Sequence, residues 1–233
     1  MYRWSNRFSS PRLVAAVSML AAVSILSACR SSPSEEAPAA VHPPSGSGDA
    51  AAPSAGAPVG AASGAPVPPQ ASQQYAEALK LMKAGRTAEA QSQLKQLAGA
   101  YPTLAGPEVN LGLLYLQASQ LPEAEAAFKA ALERSPGNAV AGNELGITER
   151  KLGKFAEAEA AYQRTIAAQP DYAAAYLNLG VLYDLYLAEP QKALEQYERY
   201  IQLAGDNKQV AGWMVELRKR VGAAAPAVKK EPA

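Results

Sequence analysis

Residues 176–183 read YLNLGVLY, and the Leu179-Gly180 pair inside that stretch is the third of a series. Leu145-Gly146 stands 34 residues earlier and Leu111-Gly112 another 34 before that. Two further series keep the same step: Ala90, Ala124 and Ala158, then Pro102, Pro136 and Pro170. In the last unit the matching alanine is Ala193, one residue late, which places an extra residue within YLAEP, 186–190. A period of this length, with apolar residues at helical spacing, describes a helix pair that cannot bury its apolar face alone and must stack on its neighbours. The spacing assigns Gly112, Gly146, Gly180 and the alanine series to places where helices approach too closely for larger side chains. Gly85 and Gly153 fall at turns, where positive φ costs glycine little. Pro107, Pro122 and Pro190 fall at helix starts, where a missing N–H is harmless.

These residues resemble the tetratricopeptide repeat, whose pattern runs W-x2-L-G-x2-Y, A-x3-F, P. Tyr176, Leu179-Gly180, Tyr183, Ala193 and Tyr197 match it best; no proline closes that unit. The second unit offers Leu111-Gly112, Tyr115, Ala124, Phe128 and Pro136. In the third, Glu149 replaces the aromatic, and in the first Glu77-Ala78 replaces Leu-Gly. The resemblance implies an all-α, right-handed helical solenoid of four pairs: 71–104, 105–138, 139–172 and 173–207. KQVAGWMVELRKRV follows, with Val210, Trp213, Met214, Leu217 and Val221 in one stripe. It predicts an amphipathic capping helix over 208–222 that shields the end of the stack. Residues 223–233 read as a disordered tail.

The chain before the repeats has a different texture. Arg3, Arg7 and Arg12 precede an apolar run, Leu13 to Leu26, with no acid among them. Fourteen helical residues rise about 21 Å, short of the roughly 30 Å hydrocarbon core. A basic start, a short apolar run and small residues at its end predict a signal peptide over 1–28. Leu26-Ser27-Ala28-Cys29 resembles the lipobox of bacterial lipoproteins, which implies an acylated Cys29 as first mature residue. Cys29 is the one cysteine in the chain, so no internal disulfide can form. Arg30 follows, not aspartate, which by the same resemblance implies the periplasmic face of the outer membrane in a two-membrane bacterium. Residues 30–70 hold 11 Ala, 9 Pro, 7 Ser and 5 Gly. With so little to bury, 29–70 is expected to be a disordered tether from the lipidated cysteine.

Composition argues against catalysis and against nucleic acid. The single histidine, His42, lies in the tether, and no metal-ligand spacing is present. Glu123/Glu125 and Glu157/Glu159 recur because the repeat recurs; residues two apart on a helix do not face each other, and a solvated face is expected for them. Loss of the three leading arginines leaves 19 basic against 21 acidic residues, without a basic stripe for phosphates. The protein is therefore read as no enzyme, with no cofactor beyond the lipid on Cys29.

In the repeat family the first helix of each pair lines a concave surface that binds peptides. Carried over, that face comprises Tyr75, Leu79 and Met82; Val109, Leu113 and Leu116; Asn143, Ile147, Arg150 and Lys151; and Leu177, Val181, Asp184 and Leu185. Such an apolar trough marks a partner site. The combination is similar to the pilotin lipoproteins of type IV pilus systems, which implies an adaptor binding a protein or peptide and held to the membrane by its lipid. A structural envelope spacer and a helper subunit of an envelope enzyme stay open at this point, as does oligomeric state.

Overall fold

A ring stands behind each of the three recurrent glycines. A Cβ added to Gly112 would lie 2.6 Å from Cε1 of Phe128, one on Gly146 2.5 Å from Cε1 of Tyr162, and one on Gly180 2.5 Å from Cε1 of Tyr197. Contacts that close leave no room for alanine, so the first helix of each pair presses its glycine against the aromatic of the second. The first pair solves the same problem differently: Ala78 and Leu94, at the equivalent positions, are both wholly buried in one cluster.

The structure is a computed structural model, and it describes residues 67–224. Among these residues are nine helices: α1 (Pro69–Lys83), α2 (Thr87–Ala100), α3 (Gly106–Gln117), α4 (Leu121–Arg134), α5 (Ala139–Lys151), α6 (Phe155–Ala168), α7 (Ala173–Leu185), α8 (Pro190–Ala204) and α9 (Lys208–Ala224). The pairs α1/α2, α3/α4, α5/α6 and α7/α8 each pack internally and then on the next pair in order. Helices α3, α5 and α7 also touch in succession, forming one inner layer. This is the all-α solenoid expected. The signal peptide, Cys29, the tether to residue 66 and the tail from 225 lie outside the described residues.

Chain punctuation follows the residue chemistry. Pro107, Pro122 and Pro190 sit at the first or second positions of α3, α4 and α8. The turn within each pair contains one residue of positive φ: Gly85 at 71°, Ser119 at 57°, Gly153 at 77° and Ala188 at 54°. In the first three turns a backbone N–H reaches five residues back: Arg86 to Leu81, Gln120 to Tyr115 and Lys154 to Glu149. In the fourth, Leu187 bonds Leu182 and Glu189 bonds Tyr183, six residues back. The extra residue is thus absorbed between Tyr186 and Glu189, leaving α7 and α8 in their usual packing.

Three connected clusters make the core. One joins α1 and α2 to Leu111 and Leu114, a second spans α3 to α6, and the third runs from Ile147 to Leu217 of α9. Ala90, Ala124, Ala158 and Ala193 are fully buried, as close helix approach requires. Helix α9 continues the register as a half-unit: Val210, Met214 and Leu217 are buried against α8, and Trp213 lies 5.7 Å from the Tyr197 ring. Val215 takes the place that Gly180 holds one unit earlier, and it is 49% exposed. No second helix follows it among the described residues, so nothing demands a glycine there.

The glutamates divide by face. Glu123 and Glu157 are exposed, as expected of a solvated surface. Glu125 is not: it is buried and ties two units together, accepting from Lys129 at 2.5 Å and from Lys154 at 2.7 Å. Glu159, half-buried, accepts the Tyr183 hydroxyl at 2.7 Å. Glu149, at the aromatic position, is buried with Lys129 3.7 Å away. The same twenty-residue relation places Lys95 5.7 Å over the Tyr115 ring and brings Gln163 within 3.4 Å of the Tyr183 hydroxyl. A carboxylate is therefore tolerated at 149 because a cation already stands opposite that position.

Candidate functional site

The inner layer is built by α1, α3, α5 and α7, and its residues fall into two groups. Tyr75, Val109, Leu113, Asn143, Ile147, Leu177 and Val181 are buried. Val109 and Leu177 have no exposed surface at all, so they belong to the core between units and present nothing to a partner. The reason is lateral contact: inner helices pack side by side, and residues facing that seam are covered by the next unit. Leu79, Met82, Leu116, Arg150, Asp184 and Leu185 are half-buried and Lys151 is exposed. A trough built on these residues is narrower than helical spacing alone predicts.

Two of the buried polar residues act across the seam at a separation of 35. Asn110 donates from Nδ2 to the Tyr75 hydroxyl and also to the Gly106 carbonyl at 2.9 Å. Asn178 donates from Nδ2 to Oδ1 of Asn143 at 3.0 Å. Burial pushes the Tyr75 hydroxyl well above its ordinary pKa, while the bond from Asn110 pulls the other way. Tyr75 and Asn143 are thus cross-seam hydrogen-bond acceptors, tied to the next unit. Helical spacing carries no signal for this, since a seam residue and a trough residue share the same helix.

The polar rim of the trough is already engaged. Arg150 lies 5.4 Å over the Tyr186 ring and donates to its hydroxyl at 3.2 Å. Tyr186 in turn packs against Phe155, centroids 5.1 Å apart. Asp184 pairs with Arg220 of α9, its own side chain only 5% exposed. Tyr197, beneath them, has its hydroxyl pushed up by burial, with the Asp184 charge adding to the shift. Phe155, Tyr186 and Arg220 were absent from the sequence-based set. Arg220 has a detectable signal, because α9 repeats the α7 pattern and sets residue 220 at the inner place of Leu185. The trough floor is thus leucine and methionine, with one aromatic–guanidinium stack and one ion pair at its α9 end.

Among the described residues no group of three or more His, Cys, Asp or Glu is placed to hold a metal ion. None of the described helices is long and apolar enough to cross a membrane. The chemistry this face offers is apolar contact and hydrogen bonding.

The family model for the tetratricopeptide repeat matches residues 75–139 and 143–208. The chain belongs to this family. Among solved structures, this tetratricopeptide repeat protein is similar to MamA, with 26% identity over 62% of this chain and 84% of that one, at a TM-score of 0.58. MamA of Desulfovibrio magneticus RS-1 shares 20% identity over 67% and 88% of the two chains, at 0.59. PilF of Pseudomonas aeruginosa shares 20% over 66% and 69%, also at 0.59. Likenesses at 20% speak to fold alone. No curated protein matches the chain. As a tetratricopeptide repeat protein, it is a scaffold for protein–protein interaction.

Proposed function

We propose that this protein is a non-catalytic, lipid-anchored adaptor of the periplasm. It is acylated at Cys29, held to the inner leaflet of the outer membrane by its tether, and positions a protein partner for assembly of an envelope complex. The observation that carries the reading is the union of two features on one chain. A lipobox and an Ala/Pro/Ser/Gly segment precede a tetratricopeptide solenoid whose inner layer keeps Leu79, Met82, Leu116 and Leu185 only half-covered. An extended or helical peptide laid along α1, α3, α5 and α7 would complete their burial at about 25 cal/mol per Å² of apolar surface removed from water. Likeness in fold to PilF supports the pilotin-type architecture and adds no more than fold.

Two experiments test the parts separately. Cys29→Ala is expected to shift the protein from the membrane fraction to the soluble or unprocessed pool; unchanged fractionation sinks the anchor. Photocrosslinkers at Leu79 and Leu185 are expected to trap one envelope component in the source cell, while a probe at exposed Ala126 on α4 does not. Equal labelling from all three places sinks the inner trough as the working surface.

A further inference from the structure

Each junction between units has a second surface, where the outer helices of neighbouring pairs meet over the start of an inner helix. At the first junction Glu108 and Arg134 bridge it at 3.2 Å, and Arg134 also donates to the carbonyls of Pro102 and Ala130. At the third, Tyr176 takes the place of Glu108, donating to the Pro170 carbonyl at 3.0 Å with Arg199 5.9 Å from its ring. The middle junction has neither. The first junction keeps a depression of about 580 Å³ with Glu108 and Arg134 in its lining. At the middle junction the residues equivalent to that pair are Gly142 and Ala168, 34 positions on, so the ion pair cannot form, and a cleft of about 400 Å³ opens between α4 and α6 over the first turns of α5.

Its floor is Leu132, Leu145 and Ala161 with Ala168 at the mouth; Lys129 and Arg164 stand on the rim against one acid, Glu133. Thr165 fills the space a side chain at 142 would need and keeps its hydroxyl bonded to the Ala161 carbonyl at 2.8 Å. The cleft lies within the size range of small-molecule sites, with their usual apolar lining and few polar groups. Lys129 and Arg164 are both exposed, but Lys129 is already paired with Glu125. We infer that this middle-junction cleft binds a small amphipathic monocarboxylate, its apolar body on Leu132, Leu145 and Ala161 and its carboxylate at Arg164.

Decanoate is the probe, titrated into the isotope-labelled full-length chain, with decyltrimethylammonium as the charge-reversed control. Saturable amide shifts centred on Gly142 and Thr165 are expected, with the cation binding at least about tenfold more weakly, the size of one charge-assisted contact. Gly142→Glu/Thr165→Ala/Ala168→Arg rebuilds the Glu108–Ala131–Arg134 set of the first junction, puts a carboxylate inside the site, and should weaken decanoate binding. Ala168→Glu alone, a change at an exposed helix position four residues after Arg164, sets a competing carboxylate beside the guanidinium without touching the core and should weaken decanoate binding several-fold. Arg164→Gln should erase the preference for decanoate over the cation. Absence of saturable binding, shifts centred elsewhere, equal affinity for the two probes, or full decanoate binding by Ala168→Glu would each overturn the assignment.

Discussion

Tyr162 occupies the space in which a side chain at position 146 would begin: its Cε1 lies 2.5 Å from where a Cβ on Gly146 would stand. Gly146→Ala gains up to about 1 kcal/mol of helix propensity. It also forces a fully buried ring to move, an overpacking cost of roughly 1–3 kcal/mol. The expected outcome is net destabilisation, read as a lower urea midpoint at unchanged slope. Tyr162→Leu alone should cost about 2–4 kcal/mol through the cavity it leaves. The double variant copies the Ala78–Leu94 solution of the first pair, so its loss should be at least about 1 kcal/mol smaller than the sum of the singles. Strict additivity would show that the two positions do not share one space.

The turns offer a second comparison. Gly85 and Gly153 hold φ of 71° and 77° without strain, while Ala188 holds 54° with a Cβ. Left-handed backbone costs a non-glycine residue about 1–2 kcal/mol. Ala188→Gly should therefore stabilise by roughly 0.5–1 kcal/mol after the entropy of the unfolded glycine is subtracted, and Gly153→Ala should destabilise by a similar amount. Equilibrium denaturation of the two variants measures both signs at once.

Glu149 makes stability depend on pH. Burial raises its carboxyl above the ordinary 4.5, with Lys129 opposing and the Glu125 charge adding. A raised carboxyl pKa favours the protonated form in the folded state. Its penalty is absent well below 4.5, grows as the unfolded chain ionises, and is complete above the folded pKa. Glu149→Gln is then expected to be more stable than the parent at pH 7 and equal to it near pH 3. Glu125 works the other way: hydrogen bonds from Lys129 and Lys154 lower its pKa, so its contribution holds at neutral pH and is lost as acid protonates it. Urea unfolding of both glutamine variants at the two pH values separates the signs; a Glu149→Gln variant weaker than the parent at pH 7 contradicts the assignment.

What the sequence made legible was whatever repeats. The glycines, the alanines and the prolines recur at one period, and the glycine and alanine recurrences mark places where paired helices come closest. The extra residue near Ala188 was visible as a one-step slip. The trough was only partly legible, because helical spacing gives the direction of a side chain from its own axis and says nothing of the neighbouring helix. Leu116 and Leu113 stand on one face of α3, yet Leu113 is covered and Leu116 only half so. Glu125 shows the same limit: its partner Lys154 is 29 residues away, and no local pattern announces the pair.

Val215 carries a consequence for pairing. In the second, third and fourth units the first helix receives the aromatic of its own second helix on a glycine, and the ninth helix carries valine at that place. A helix built like α4, α6 or α8, whether from this chain or from another copy, would drive its ring into the valine methyls. The valine thus closes α9, by shape, to a ring-bearing partner packed as α8 packs on α7, and a second copy cannot dock one of its own second helices there in that way.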